Sequence, residues 1–273
     1  MHNNTIQKIY PEAFTNLTHL RKLSINGNNL ITISKDIFTN LPVQDLTLSG
    51  NKISSIETMA MKNLPNLTKL KLHGNSLTDL FVHTILSYPE TLEILWLQNN
   101  SFTAVTNYML YRLSNLRVLN VGFNSISFIE ANSFNNTPIL ETLVLTHNVI
   151  KELDGSIYKA LGMDYLKKLY LDNNRLMFLP SSFFFRLNNL ERITLVGNPW
   201  FCGCLDVIHR FLFENHILEK CAGDYRNGTR AICVSDTVED MTCKYVYNND
   251  LSEYYELNKR KNPLYKLPIQ CIL

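Results

Sequence analysis

An eleven-residue stretch returns along this chain at a nearly constant interval. LRKLSINGNNL at 20–30 recurs as LTKLKLHGNSL (67–77), LEILWLQNNSF (92–102), LRVLNVGFNSI (116–126), LETLVLTHNVI (140–150), LKKLYLDNNRL (166–176) and LERITLVGNPW (190–200). A slightly shortened copy, VQDLTLSGNKI, lies at 43–53. Its asparagines set the register: Asn28, Asn51, Asn75, Asn100, Asn124, Asn148, Asn174 and Asn198, with Asn4 extending the series backwards. Successive members are 23 to 26 residues apart. Two positions after each Asn up to Asn174 stands an apolar residue, and ten positions after stands another, from Phe14 and Phe38 to Tyr158 and Phe184. Repeats of this length cannot bury an apolar face singly; they stack into a solenoid.

Each column has a physical role. The x-L-x-L-x core alternates with period two, so it predicts a strand with leucines pointing inward. Strands of consecutive repeats then pair in parallel on the concave side of a horseshoe. The chain must turn away after the strand, which leaves backbone groups unpaired. A buried Asn offers both donor and acceptor, so the Asn ladder is expected to be structural. Longer spacers, SYPETLE (87–93) and LGMDYLK (161–167), fall in the outer segments, where insertions are tolerated.

Composition excludes several functions. The chain is 45% hydrophobic and 18% charged with a net charge of +2, enough for a real core and too balanced for nucleic acid as main partner. No apolar run reaches the roughly 18 residues of a transmembrane helix. The first ten residues lack the apolar region of a secretory signal. GxSxG, HExxH, P-loop and GxGxxG motifs are absent, so no catalytic residue, metal or cofactor is expected.

The L-x-x-L-x-L-x-x-N-x-L pattern identifies the leucine-rich repeat, an α/β solenoid with a parallel concave sheet and an irregular or short-helical convex side. A period near 24 with Phe in the outer segment, as in EAFTNL and DIFTNL, resembles the extracellular class: Toll-type ectodomains, Slit, matrix proteoglycans and insect secreted immune proteins. NPWFCGC at 198–204 resembles the start of their cysteine-rich C-terminal cap. The expected division is repeats over 1–198, cap over 199–243 and tail over 244–273. The family's signal peptide and N-terminal cysteine cap are not in this sequence, which reads as a fragment or as an ectodomain cut within a longer array.

All six cysteines lie between 202 and 271. C-x-C is a poor zinc spacing, and disulfides fit an exported cap. The resemblance implies Cys202–Cys221 and Cys204–Cys243, leaving Cys233 with Cys271. LDVIHRFLFENH (205–216) has the apolar spacing of a short amphipathic helix, with His209 and His216 on its polar side. The tail has no clear period. It either wraps the cap through Cys271 or presents that thiol for a linked dimer. N-x-S/T sequons at Asn3, Asn16, Asn66, Asn99, Asn135 and Asn227 are glycosylation candidates.

The strand residues between the inward leucines face the concave surface. Ile94, Trp96, Val118, Val144 and Tyr170 read as an apolar patch there. Lys69, Lys71 and His73 flank it on one side, Lys168 and Asp172 on the other, and Asn120 lies within it. An aromatic centre with a charged rim has the make-up of a binding hot spot. The expected function is therefore extracellular binding of a protein or microbial surface ligand, with innate-immune recognition implied by the resemblance. A structural or adhesive role at matrix or neuronal surfaces is the alternative, and an intracellular scaffold the third.

Overall fold

A computed structural model describes residues 3–153, 165–180, 183, 187–219, 233–235, 242–243 and 245–259. Eight three-residue strands, Lys22–Ser24, Asp45–Thr47, Lys69–Lys71, Ile94–Trp96, Val118–Asn120, Thr142–Val144, Lys168–Tyr170 and Arg192–Thr194, form one parallel sheet in chain order. The register is uniform: Leu23, Leu46, Leu70, Leu95, Leu119, Leu143, Leu169 and Ile193 sit opposite one another. All eight are at most 9% exposed. The second inward row, Ile25 to Leu195, and the outer apolar column from Phe14 through Phe134 complete one continuous core. The convex side is built from short pieces, including helical turns at Val82–Ile85 and Asn107–Leu110 and two small two-stranded sheets. Tyr158 and Phe184 lie outside the described residues.

The ladder asparagines join neighbouring repeats. Asn148 Nδ2 donates to Leu145 O in its own repeat (2.9 Å) and to Val121 O in the one before (3.1 Å). Its Oδ1 accepts the N–H of Ile126 at 2.9 Å. The same pattern gives Ile6 to Asn28, Leu30 to Asn51, Ile53 to Asn75, Leu77 to Asn100, Phe102 to Asn124 and Ile150 to Asn174. Asn198, with no exposed surface, accepts from both Leu176 and Asn174. The apolar residue two positions after each Asn thus has its side chain in the core and its N–H on the next repeat's Asn.

The residue before each ladder Asn is left-handed. Gly27, Gly50, Gly74, Asn99, Phe123, His147, Asn173 and Gly197 all have φ between +52° and +81°. A Cβ at this position points at the preceding repeat: built on Gly74 it would lie 3.3 Å from the backbone N of Gly50, and built on Gly197 it would lie 3.2 Å from Asn173 Cα. Glycine enters such a column without strain, whereas an aromatic residue there is a true outlier.

The solenoid ends at Asn198. Trp200 is fully buried, and its Nε1 donates to Leu195 O at 2.8 Å. The helix Cys202–Glu214 follows, burying Gly203, Cys204, Leu205, Ile208 and Leu212 under the last repeat. His209 stands 3.1 Å from Glu219. One bridge joins Cys204 to Cys243. The other joins Cys202 to Cys233, not to Cys221, and so also removes Cys233 from the expected pair with Cys271. The reason is a short parallel pairing that places Trp200 opposite Cys233 and Phe201 opposite Val234. That pairing draws the Cα atoms of Cys202 and Cys233 to 4.7 Å. Cys221 and Cys271 lie outside the described residues. The tail, which shows no period in sequence, forms a helix at Asn249–Lys259 and buries Ser252 and Tyr255. Lys151 Nζ meets Asn249 Oδ1 at 3.2 Å, and Lys259 Nζ meets Gly197 O at 2.6 Å.

Candidate functional site on the concave face

The sheet register lines up Lys69 with Ile94 and Val118, and Lys71 with Trp96 and Asn120. Lys69, Lys71, His73, Ile94, Trp96 and Val118 are all half-buried and open to the concave side. Lys71 Nζ lies 5.0 Å from the Trp96 ring centroid and 3.2 Å from Asp45 Oδ2. His73 stands beside the same indole, with centroids 5.8 Å apart, and its Nδ1 is 2.8 Å from Ser49 Oγ. Burial, and then the Lys71 charge, hold the His73 imidazole below its usual pKa, which favours the neutral ring. The indole is thus fixed by a cation on its face and an imidazole at its side, while part of it stays accessible. A partner's apolar or anionic group can enter here without first ordering the site.

In the C-terminal half of the expected patch Lys168 is half-buried, and the rest is not accessible. Asn120, Val144 and Tyr170 are 3%, 1% and 5% exposed. Asn120 folds back on its own strand, its Oδ1 accepting the Gly122 N–H at 3.0 Å. Val144 leans into the space that a Gly122 side chain would fill, with Cγ1 3.4 Å from that point. Tyr170 is enclosed between Val144 and Thr194 in the register. Asp172, expected at the charged rim, is buried with them: its Oδ2 accepts from the hydroxyls of Thr194 and Thr146. The accessible site therefore covers the strands at 69–71, 94–96 and 118–120.

The buried half holds two titrating groups with opposite effects. Burial pushes the Asp172 carboxyl from 3.8 up to about 7, partly offset by its bonds to Thr194, to the backbone of Asp172 and Val196, and to Thr146. Burial, then the charge of Lys259, push His147 from 6.5 down to about 4. From pH 3.8 to about 7 the folded Asp172 keeps a proton that the unfolded chain releases, so its contribution falls as pH rises. From about pH 4 to 6.5 the unfolded His147 takes up a proton that the folded ring refuses, so its contribution rises. The slopes oppose, so these two contributions should nearly cancel between about pH 4.5 and 6.5. Asp172→Asn should reveal a rising slope and His147→Asn a falling one, each at most ~1.4 kcal/mol per pH unit. Urea midpoints at the two pH values test this; parallel profiles for all three proteins would refute the assignment.

Comparison with known proteins agrees with this architecture. Two family models described as leucine-rich repeat match residues 1–53 with 90–154, and 165–187. The chain belongs to the leucine-rich repeat family. It is 33% identical over 208 residues to the rat (Rattus norvegicus) leucine-rich repeat-containing G-protein coupled receptor 5, covering 76% of this chain and 22% of that one. It is 46% identical over 65 residues to mouse (Mus musculus) chondroadherin, 24% of this chain and 17% of that one. With mouse Tsukushi it shares 26% over 203 residues, 72% of this chain and 49% of that one. The chain thus spans less than half the length of each of these relatives. Human 5T4, a trophoblast glycoprotein, superposes with a TM-score of 0.62 at 23% identity over 80% of this chain and 82% of that one. A chain of the octameric complex of Latrophilin 3, Unc5D and FLRT2 gives 0.54 at 21% identity, over 78% of each. At these identities the two structures speak for the fold alone.

Leucine spacing did not disclose three other features. The rim residues Asn99, Phe123, His147 and Asn173 replace glycine; the signal is their place directly before a ladder Asn. The tail helix docks on that rim through Lys259. On the convex side Phe81, His83, Tyr108 and Tyr111 form an aromatic group, with His83 5.0 Å from Tyr111 between centroids. Among the described residues no helix is long and apolar enough to cross a membrane, and no His/Cys/Asp/Glu group has metal-binding geometry.

Proposed function

We propose that this protein is an extracellular recognition module that binds a protein partner on its concave face, with Trp96 as the anchor. The observation that carries the reading is the half-exposed indole held between Lys71 and His73 at the centre of an eight-stranded sheet. The two disulfides of the cap support export, because such bridges persist in oxidising compartments. The relatives include a receptor, and the FLRT2 repeats were solved in an assembly with protein partners. Recognition of a microbial surface ligand in innate immunity is the finer reading, drawn from the likeness of the cap to secreted immune proteins. An adhesive matrix role is the second reading, favoured by the match to chondroadherin.

The test is a panel of secreted proteins and receptor ectodomains probed with the purified protein, followed by titration of each hit against Trp96→Ala. Truncating a central aromatic anchor is expected to weaken binding by about thirtyfold, roughly 2 kcal/mol. The melting temperature should stay unchanged, since the indole closes no core. Equal affinity for wild type and variant would remove the site from this face. A large loss of stability would mean that the indole is structural.

A further inference from the structure

We propose that Asn99 carries an N-linked glycan whose first sugar packs on Phe123; this rests on the extracellular reading above. Asn99-Asn100-Ser101 is a sequon, and both Asn99 and Ser101 are exposed. Asn99 and Phe123 occupy the same left-handed rim position in adjacent repeats, with φ of +55° and +53°. Strands in a sheet lie about 4.8 Å apart, close enough for side chains at one rim position of adjacent repeats to meet face to face. At the glycines of this column a built Cβ meets the preceding repeat, which puts the Cβ of Phe123, in the same left-handed backbone, on the Asn99 side.

Phe123 is costly where it stands. Left-handed backbone disfavours an aromatic side chain by about 1–2 kcal/mol, and four of the eight rim positions avoid the cost with glycine. The ring lies parallel to His147, with centroids 4.2 Å apart and an 18° angle, and it remains partly open to solvent. His147 is in turn 3.2 Å from Asn173 Nδ2. The result is a shelf backed by a second ring and aimed at a glycosylation sequon. The apolar C–H face of a pyranose fits such a shelf. Strain accepted by a phenylalanine in a column where four repeats use glycine is a reason to seek a function there.

The other described sequons lack this feature. Asn16, Asn66 and Asn135 are exposed away from the rim, and Asn3, which shares the rim column, is followed there by Gly27. Attachment follows ordinary glycosyl transfer from a lipid diphosphate oligosaccharide. The Asn99 amide nitrogen forms a bond to the sugar C1, the C1–O bond to the lipid diphosphate breaks, and the amide loses one proton to a base of the transferase. The attached glycan would border the concave site on one side, three residues after Trp96.

The experiment is glycopeptide mapping of the full chain secreted from eukaryotic cells, then timed release by a peptide N-glycosidase under native conditions. The expected result is an occupied Asn99 whose glycan is released roughly tenfold faster in Phe123→Gly, the change that loss of a ring contact would bring. Glycine relieves the left-handed strain, so the variant should fold. Phe123→Tyr keeps a ring and should restore slow release, and glycans at Asn16, Asn66 and Asn135 should be released at the same rate in all variants. An unoccupied Asn99 beside occupied Asn16, Asn66 or Asn135 overturns the proposal alone. No glycan at any sequon overturns the extracellular reading with it. Equal release from wild type and Phe123→Gly removes Phe123 from the role.

Discussion

Asn148→Ala is expected to lower unfolding stability by about 3 kcal/mol. The substitution deletes four bonds: the N–H of Ile126 at 2.9 Å, and the carbonyls of Val121, Leu145 and Thr146 at 3.1, 2.9 and 3.5 Å. Asn148 is only 6% exposed, so water cannot readily replace them. Each bond contributes about 1 kcal/mol net, and each buried group left without a partner costs about 1–3 kcal/mol. Several weak contacts therefore combine into a large loss. The measurement is the urea midpoint, with Asn135→Ala as an exposed control expected to lie within about 0.5 kcal/mol of wild type. If Asn148→Ala also lies in that range, the ladder does not hold the repeats together.

The comparable effect lies in the cap. Replacing Cys204 and Cys243 together by serine is expected to cost about 4 kcal/mol on the chain-entropy account of a crosslink spanning 39 residues. Strain in the bridged state would make the measured loss smaller. The damage should be local at first, because each repeat touches only its neighbours. Hydrogen exchange should therefore show loss of protection around 195–214 before any change at 23–72. Uniform loss across the chain would show that the cap and repeats form one cooperative unit. The bridge between Cys202 and Cys233 provides a comparison, since the strand just before Cys202 is itself hydrogen-bonded to the strand that holds Cys233.

Much of this architecture is legible in the sequence, because the repeat places one side chain per column and every column has a single physical task. Leucines alternating in a short strand can only point inward, and the asparagine that follows has buried groups to satisfy. Which residues stand between the inward leucines of each strand is legible as well. Their exposure was not legible, because it depends on neighbours in adjacent repeats. Trp96 stays accessible while Tyr170, in the same column, is enclosed. Nothing in either residue's own repeat separates them; Gly122 in a neighbouring repeat lets Val144 settle inward. The Cys204–Cys243 bridge stands as expected, whereas the partner of Cys202 differs for a related reason. The two residues preceding Cys202 form a strand whose partner lies 33 positions away, as Trp200 opposite Cys233, a long-range match that spacing does not encode. The tail helix was missed because its mixed Tyr and charge pattern buries only Ser252 and Tyr255, too few positions to set a period.

The ladder also gives the molecule a direction. Each Asn accepts an N–H from the repeat before it, as in Leu77 to Asn100 or Ile126 to Asn148. No repeat is therefore complete until its successor is in place. As the chain leaves the ribosome, the newest turn always holds an unpaid hydrogen bond, and closure trails synthesis by one period. Asn198 completes the turn before it by accepting from Asn174 and Leu176, and the last turn, which has no successor asparagine, is closed by the pairing of Trp200 and Phe201 with Cys233 and Val234 of the cap. The strand that completes the array therefore also carries Cys233, so closing the last turn and bringing Cys202 to its partner are one event.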